Sequence, residues 1–429
     1  MKISKLCIAV FSLLFLYSCS SDKESTPGED QAPTSPVPTE EVASPMITAG
    51  ASEESSASNE SYSDCAVDVH QHLSNGVNFS VGSATLLEVM SSTSDKSVLV
   101  NGHKGLSKVI LMPPPETGDG SGLGANYQID TNMHPSLVQA VADNSDKYFL
   151  AAGGAALNPI IHKAHIDRSA GDATAFRAEV KRLVALGIKS IGEMAVLHLS
   201  ITGTHPYIVA PAFHPLYRVL VEEAAIAGIP VDIHLEAIDT KKHYSLKIPE
   251  DMPKNSEGVS CFKTVDGVGA DRGLNPSEIK SNIMAFVKLL KYAKDYACNT
   301  VGDCSKSKIV WSHVGWDNTS DLNTTVVGDL MGNNSNLYAA LKMLNSPGNC
   351  QSIENRPLDA SGNLQAHWKS LFEKFPDRFV IGSDEFFGES ADLTIGSAST
   401  QGSWDLIEKL PNELKKAFAC DNPRRIYNL

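Results

Sequence analysis

"CAVDVHQH", residues 65–72, is an apolar run that carries Asp68, His70 and His72 on alternate positions. Successive side chains of a strand point to opposite faces, so a period of two puts these three polar residues on one face. Ordinary half-buried strands align their apolar residues in this way. Polar residues so aligned, two of them imidazoles, mark a candidate metal site. The plainer reading of any one histidine here is a hydrogen-bonded core or rim residue. On this parity Asp68 faces inward one layer below His70, close enough to hydrogen-bond a ligand imidazole from behind.

Downstream, short apolar runs alternate with amphipathic stretches. Strands are expected near residues 67, 109, 149, 190, 232, 311, 339 and 381, most of them separated by a helix-sized segment. "ATAFRAEVKRLVALG" (173–187) and "HPLYRVLVEEAAIAG" (214–228) have helical spacing, with Gly228 as a stop. A helix is expected over "NPSEIKSNIMAFVKLLKYAKDYA" (275–297), starting at Asn275 and Pro276. "YAALKML" (338–344) passes equally for a helix or for the seventh strand. Eight strands alternating with helices fit a (β/α)8 TIM barrel with a long insert after strand 5, at roughly 238–275. That insert is large enough to cover the rim, or it decorates the surface. A doubly wound open sheet is the competing topology.

In a closed barrel the C-terminal ends of the strands meet on one rim. His70 and His72 end strand 1, Glu193 strand 4, His234 strand 5, His313 strand 6 and Asp384 strand 8. Imidazoles and carboxylates converging there suit a divalent cation, Zn2+ by ligand type. Such an ion acidifies water and polarises the bond under attack. Glu385 falls on the opposite face and is assigned to the surface or the last helix. Parity puts Lys189 on the face of Glu193 and Asp232 on that of His234. Charges inside a barrel need partners, so a Lys189–Asp232 pair is expected beneath the site. Lys342, Trp316 and His205 are candidate substrate contacts, while His162, His165, His198, His214 and Asp317 read as loop or packing residues.

Composition narrows the partners. The 429 residues hold 36 Lys plus Arg against 50 Asp plus Glu, a net charge of −14, without a basic run of the kind that binds nucleic-acid backbones. Residues 22–60 alone contain nine acids and one base among Ser, Thr and Pro. So polar a stretch buries too little apolar surface to offset its ordering entropy, and 19–61 reads as a disordered tether. The acidity therefore says little about a substrate. "MKISK" followed by "LCIAVFSLLFLYS" is a signal-type segment over residues 1–18, too short to span a bilayer as a mature helix. Its end, "LYSC", resembles the lipobox of bacterial lipoproteins, which implies an acylated Cys19 holding residues 62–429 to a lipid bilayer of the cell envelope. The plainer reading is a simple secretory signal. Six cysteines remain beyond Cys7 and Cys19, and Cys298 with Cys304, in "CNTVGDC", is the first choice for a bridge.

The motifs together resemble the amidohydrolase superfamily, in particular its amidohydrolase-2 branch. "VDVHQH" resembles the strand 1 His-x-His signature, "IPVDIHLE" and "IVWSHVG" the histidine motifs of strands 5 and 6, and "RFVIGSDEF" the strand 8 aspartate motif. "DNPRRIYNL", with Asn422 and Arg425, resembles the closing helix. The resemblance implies that His70, His72 and Asp384 hold a buried metal, and that His234 and His313 hold a second. In one-metal members, His234 instead completes the site and His313 contacts substrate or water. "IGEM" resembles the Gly-Glu pair of branches in which a glutamate, here Glu193, bridges two ions; a supporting role behind the ligands is the alternative. Asp384 would ligate the metal and move the proton from attacking water to the leaving group. The expected function is hydrolysis of an amide, ester, lactone or phosphoester bond in a small molecule, with two ions favoured. The alternatives are a mononuclear decarboxylase of the same superfamily and a non-catalytic ligand-binding surface lipoprotein.

Overall fold

The computed structural model describes residues 62–73, 106–117, 141–200, 207–242, 244–254, 258, 260, 262, 264, 275–343, 352–387 and 398–429. The signal segment, the tether, His205, Cys261 and Cys350 lie outside these residues.

Parallel strands β1 (Val67–Leu73), β2 (Lys108–Leu111), β3 (Tyr148–Gly153) and β4 (Ser190–His198) follow one another in the sheet. A two-residue strand β5 (Ile208–Val209) pairs antiparallel with β4 off the main path. The parallel series continues with β6 (Val231–Leu235). The insert then contributes an antiparallel pair, β7 (Ser245–Lys247) and β8 (Glu278–Lys280). After it, β9 (Ile309–Val314), β10 (Leu337–Leu341) and β11 (Phe379–Ile381) complete the round. Past Asp384 the eighth strand resumes as β12 (Glu385–Phe387), which pairs parallel with β1 while β11 pairs with β10. Changing partners in this way closes the ring, which is a (β/α)8 barrel and not an open sheet. All eight barrel strands lie where the apolar runs place them.

Two corrections concern the insert and the rim. The helix expected from Asn275 begins only at Ile283, because Glu278–Lys280 pairs with β7 first. Asn275 does not cap a helix; its side chain binds both the N–H and the C=O of Ser200, at 2.9 and 2.8 Å. Pro276 remains compatible with that extended approach. Glu385 is 5 % exposed, so it does not serve the surface.

Inside the ring, Val67, Val69, Ile110, Met112, Ala151, Val310, Ala340 and Val380 form one apolar cluster with Ile426 and Tyr427. These last two belong to the terminal helix Asn422–Tyr427, which plugs the floor of the barrel. Asn422 secures that helix by donating to the carbonyls of Pro376 and Phe379, both at 2.9 Å. The alternate residues Val109, Leu111, Ile191, Val231, Ile309, Leu337 and Phe379 face the surrounding helices. A fully buried aliphatic side chain contributes about 1.5–3 kcal/mol, so the two layers together outweigh any single polar contact.

Near the rim the ladder register shifts at four places, one of them in β4 between Ala195 and Leu197 and the other three beside site residues. Between Asp68 and Gln71, β1 advances three residues while β2 advances two. The same excess occurs in β4 between Ile191 and Met194, and in β9 between Trp311 and Val314. Each is a β-bulge, which turns an extra side chain to one face. The residues re-aimed into the barrel mouth are His70, Glu193 and His313.

The bulges overturn two parity readings. Asp68 lies between the inward valines 67 and 69 and turns away from the ring. Its Oδ1 accepts from the backbone N–H groups of His70 and Ser383 at 3.1 and 3.0 Å, and its Oδ2 from Gln71 at 2.8 Å. It therefore joins strand 1 to strand 8 and meets His70 at its backbone N–H, not at its ring. Lys189 shares a face with Ile191, not with Glu193, and donates outside the ring to the carbonyl of Asn428 at 3.0 Å. The expected Lys189–Asp232 pair does not exist. Asp232 is instead met from below by the Tyr427 hydroxyl at 2.5 Å, and burial pushes its carboxyl up to about 6.

Candidate metal centre

Six side chains predicted from the ends of five strands meet in the barrel mouth. His70 and His72 approach through their Nε2 atoms, 3.1 Å apart. Glu193 stands among four rings. Its Oε1 is 2.5 Å from His234 Nδ1 and 2.7 Å from His313 Nε2, and its Oε2 is 3.4 and 3.5 Å from the Nε2 atoms of His70 and His72. Asp384 Oδ1 lies 3.0 Å from His72 Nε2 and 3.9 Å from His70 Nε2. Two triads have ligand atoms close enough to share an ion: His70, Glu193 and His313, and His70, His72 and Asp384. His234 is joined to the group through Glu193 and does not belong to either triad.

The backbone beneath these residues is unusual. His313 and Asp384 have φ of 62° and 56°, in the left-handed region that costs a residue with a Cβ roughly 1–2 kcal/mol. Non-glycine residues are held there only where their surroundings over-determine them, and functional sites are where such residues gather. Gly192, just before Glu193, is required for packing. A Cβ there would come within 2.8 Å of Asp232 Cβ and 2.9 Å of Met112 Sδ.

Burial and charge oppose each other at every group. Burial alone would keep Glu193 neutral, but His70, His313 and His234 around it hold its carboxyl well below the usual range. Burial likewise resists ionisation of Asp384, and Lys342, His313 and His72 outweigh it. Burial disfavours the cations of His72 and His234 as well. The carboxylates of Asp384 and Glu193 push His72 up to about 9, and those of Glu193 and Glu236 do the same for His234. For His313 burial prevails, taking it down to about 4.

These residues fit a divalent ion. His72 Nδ1 lies 2.7 Å from the carbonyl of Met112, an acceptor, so that nitrogen carries the proton. Once His72 is neutral, its Nε2 is a bare lone pair aimed at His70 and Asp384. Two facing imidazole nitrogens with buried carboxylates beside them form a borderline donor set that zinc-type ions satisfy. Uptake by the triad that contains His72 must then expel the proton that His72 holds at neutral pH. The apparent affinity is expected to rise as pH climbs toward about 9, by about tenfold per unit for that proton. Calorimetric titration in two buffers of different ionisation enthalpy checks this: equal heats in both would contradict it.

Other contacts were not legible in the sequence. Lys342 forms an ion pair with Asp384 Oδ2, and its Nζ sits 4.3 Å from the centre of the Trp316 ring. Glu236 backs His234, with Oε1 3.3 Å from its Nε2, and accepts from Asn318 at 2.8 Å. His198 packs edge-on against His234, ring centres 4.6 Å apart. Repeated histidines near one strand end are the only sequence trace of that pairing. His214 caps the helix Pro215–Ala227, accepting from Leu216 N–H, and Asp317 organises its own loop through Thr319 and Leu322. Both are packing residues, as the sequence suggested.

Fold and cluster together define a parallel barrel with a metal-type histidine and carboxylate centre at its C-terminal mouth. No protein family pattern and no curated protein matches the chain. Among solved structures, it is similar to 2,6-dihydroxybenzoate decarboxylase from Rhizobium at 12 % identity, covering 85 % of this chain and 99 % of that one, with a TM-score of 0.43. It is similar to 5-carboxyvanillate decarboxylase from Sphingomonas paucimobilis at 10 % identity, over 85 % and 99 % of the two chains, with a TM-score of 0.43. An amidohydrolase from Mycobacterium avium subsp. paratuberculosis matches at 14 % identity over 81 % and 74 %, with a TM-score of 0.38. At this distance the likenesses assign neither a substrate nor a reaction.

Proposed function

We propose that the protein is a metal-dependent enzyme acting on a small molecule, of the amidohydrolase kind that its strand motifs resemble. The observation that carries this reading is the placement of Glu193, whose two carboxylate oxygens are divided between the pair His234–His313 and the pair His70–His72. A side chain so placed can serve two cations at once. A divalent ion there supplies electrophilic polarisation and a lowered pKa for water. The chain's own groups do the rest. Glu193 and the imidazoles hold the charge in place, Asp384 stands at the mouth as ligand and proton acceptor, and the walls exclude bulk solvent.

Hydrolysis is the first reading of the reaction, because a bridging carboxylate favours two ions. Non-oxidative decarboxylation of a small acid is the second, and the ion pair between Lys342 and Asp384 favours it. A carboxylate already paired with an ammonium group is a weaker acceptor for the proton of attacking water. Elemental analysis of protein purified without chelators, followed by a screen of both substrate types, tests the proposal. Two ions per chain with turnover of an amide, ester, lactone or phosphoester supports hydrolysis. One ion with release of carbon dioxide supports the second reading, and a metal-replete protein that retains no ion overturns both.

Export and lipid attachment through an acylated Cys19 complete the proposal. The bridges Cys65–Cys420 and Cys298–Cys304 suit an oxidising compartment. Intact-mass analysis of the mature N-terminus must show the acyl groups if this is right.

A further inference from the structure

The ion pair at the barrel mouth divides Asp384 in two. Its Oδ1 faces imidazole nitrogens, 3.0 Å from His72 Nε2. Its Oδ2 faces the Lys342 ammonium, with His313 Nδ1 3.7 Å away. Lys342 is not free to swing at will. Its backbone N–H donates to the carbonyl of Val314 at 3.0 Å, and its ammonium lies over the Trp316 ring. The side chains of Lys342 and Asp384 are 14 % and 11 % exposed, so solvent and salt screen the pair weakly.

We propose that Lys342 is a positioning residue that sets how tightly this mouth holds its metal, by occupying one oxygen of Asp384 and leaving the other for the ion. The inference rests on the metal-site reading above and extends it. Glu193 and Asp384 bring two negative charges, which one divalent cation already balances. The ammonium of Lys342 is then surplus positive charge on the same carboxylate that the ion must share. In the metal-free protein it stands in for the cation, keeping Asp384 paired. In the loaded protein it repels the ion and restricts Asp384 to donation through one oxygen. Removing it therefore acts in opposite directions on the two states: the metal-free fold loses a partner for a buried charge, while the loaded site loses a repulsion.

The test uses the full chain stripped with a chelator, and Zn2+ alone as the probe, competed against a chromophoric chelator. Lys342→Met is expected to bind Zn2+ about 10- to 100-fold more tightly than the unaltered protein, the range for one charge removed a few ångströms away in a partly screened site. Its metal-free form is expected to melt at a lower temperature. Lys342→Arg, which keeps the charge, is expected to restore both values. Should Lys342→Met fail to fold, Lys342→Gln carries the same expectation. Equal or weaker Zn2+ binding by the uncharged variant overturns the proposal, since a merely structural lysine would lower the melting temperature without tightening the metal. No Zn2+ uptake by the unaltered protein would instead remove the metal-site reading, and this inference with it.

Discussion

Glu193→Gln protein is expected to leave purification depleted of metal, with one ion fewer per chain than the unaltered protein. The substitution conserves volume and leaves the bulge in place, so the fold should survive it. What it removes is the negative charge on which four imidazoles converge. The amide that replaces the carboxylate offers one acceptor and one donor. The donor would point at a histidine nitrogen that should be a lone pair. Losing only an outer partner of a ligand costs roughly 10–100-fold in affinity. Losing the shared carboxylate itself should exceed that. Elemental analysis after dialysis, alongside a melting curve to show that the chain is folded, decides it. Unchanged occupancy would mean that Glu193 is a neighbour of the site and not part of it.

The second large effect concerns the bridge between Cys65 and Cys420, which closes a loop of sequence separation 355. Both cysteines are fully buried, one immediately before β1 and the other in the turn leading to the floor helix. Cross-linking residues so distant in sequence restricts the unfolded chain strongly, and native bridges are typically worth about 2–4 kcal/mol. Replacing both cysteines with alanine should lower stability by about that amount and leave metal uptake intact in the protein that stays folded. Urea unfolding of the two proteins measures it. A shift no larger than that from opening the short Cys298–Cys304 loop would show that chain restriction is not the source of the stability.

The order of the barrel strands was legible because alternation between apolar runs and amphipathic stretches survives in a single sequence. Chain order also named the six residues of the mouth correctly as neighbours, since each stands at the end of its run. Orientation was not legible. Parity puts Asp68 and Lys189 on the wrong face because a bulge adds one residue without leaving a mark in the hydrophobic pattern, and every parity inference that crosses it is reversed. Asn275 followed by Pro276 has the cap chemistry of a helix start, yet a tertiary contact with Ser200 claims that side chain first. The grip of Lys342 on Asp384 joins residues 42 apart, and local pattern holds no record of such a meeting.

The divided eighth strand has a mechanical meaning. Its ladder with β1 begins at Gln71; just below, the Asp384 N–H donates to the carbonyl of His70 at 2.9 Å, and lower still the joint is made by the Asp68 carboxylate, which accepts from the N–H of Ser383. A barrel made of staves is weakest where one stave is spliced. Thermal breathing of this one should therefore start along the join between its first and last strands. Asp384 stands at the splice itself, so the same opening that loosens the ring would also loosen the grip of the mouth on whatever it holds.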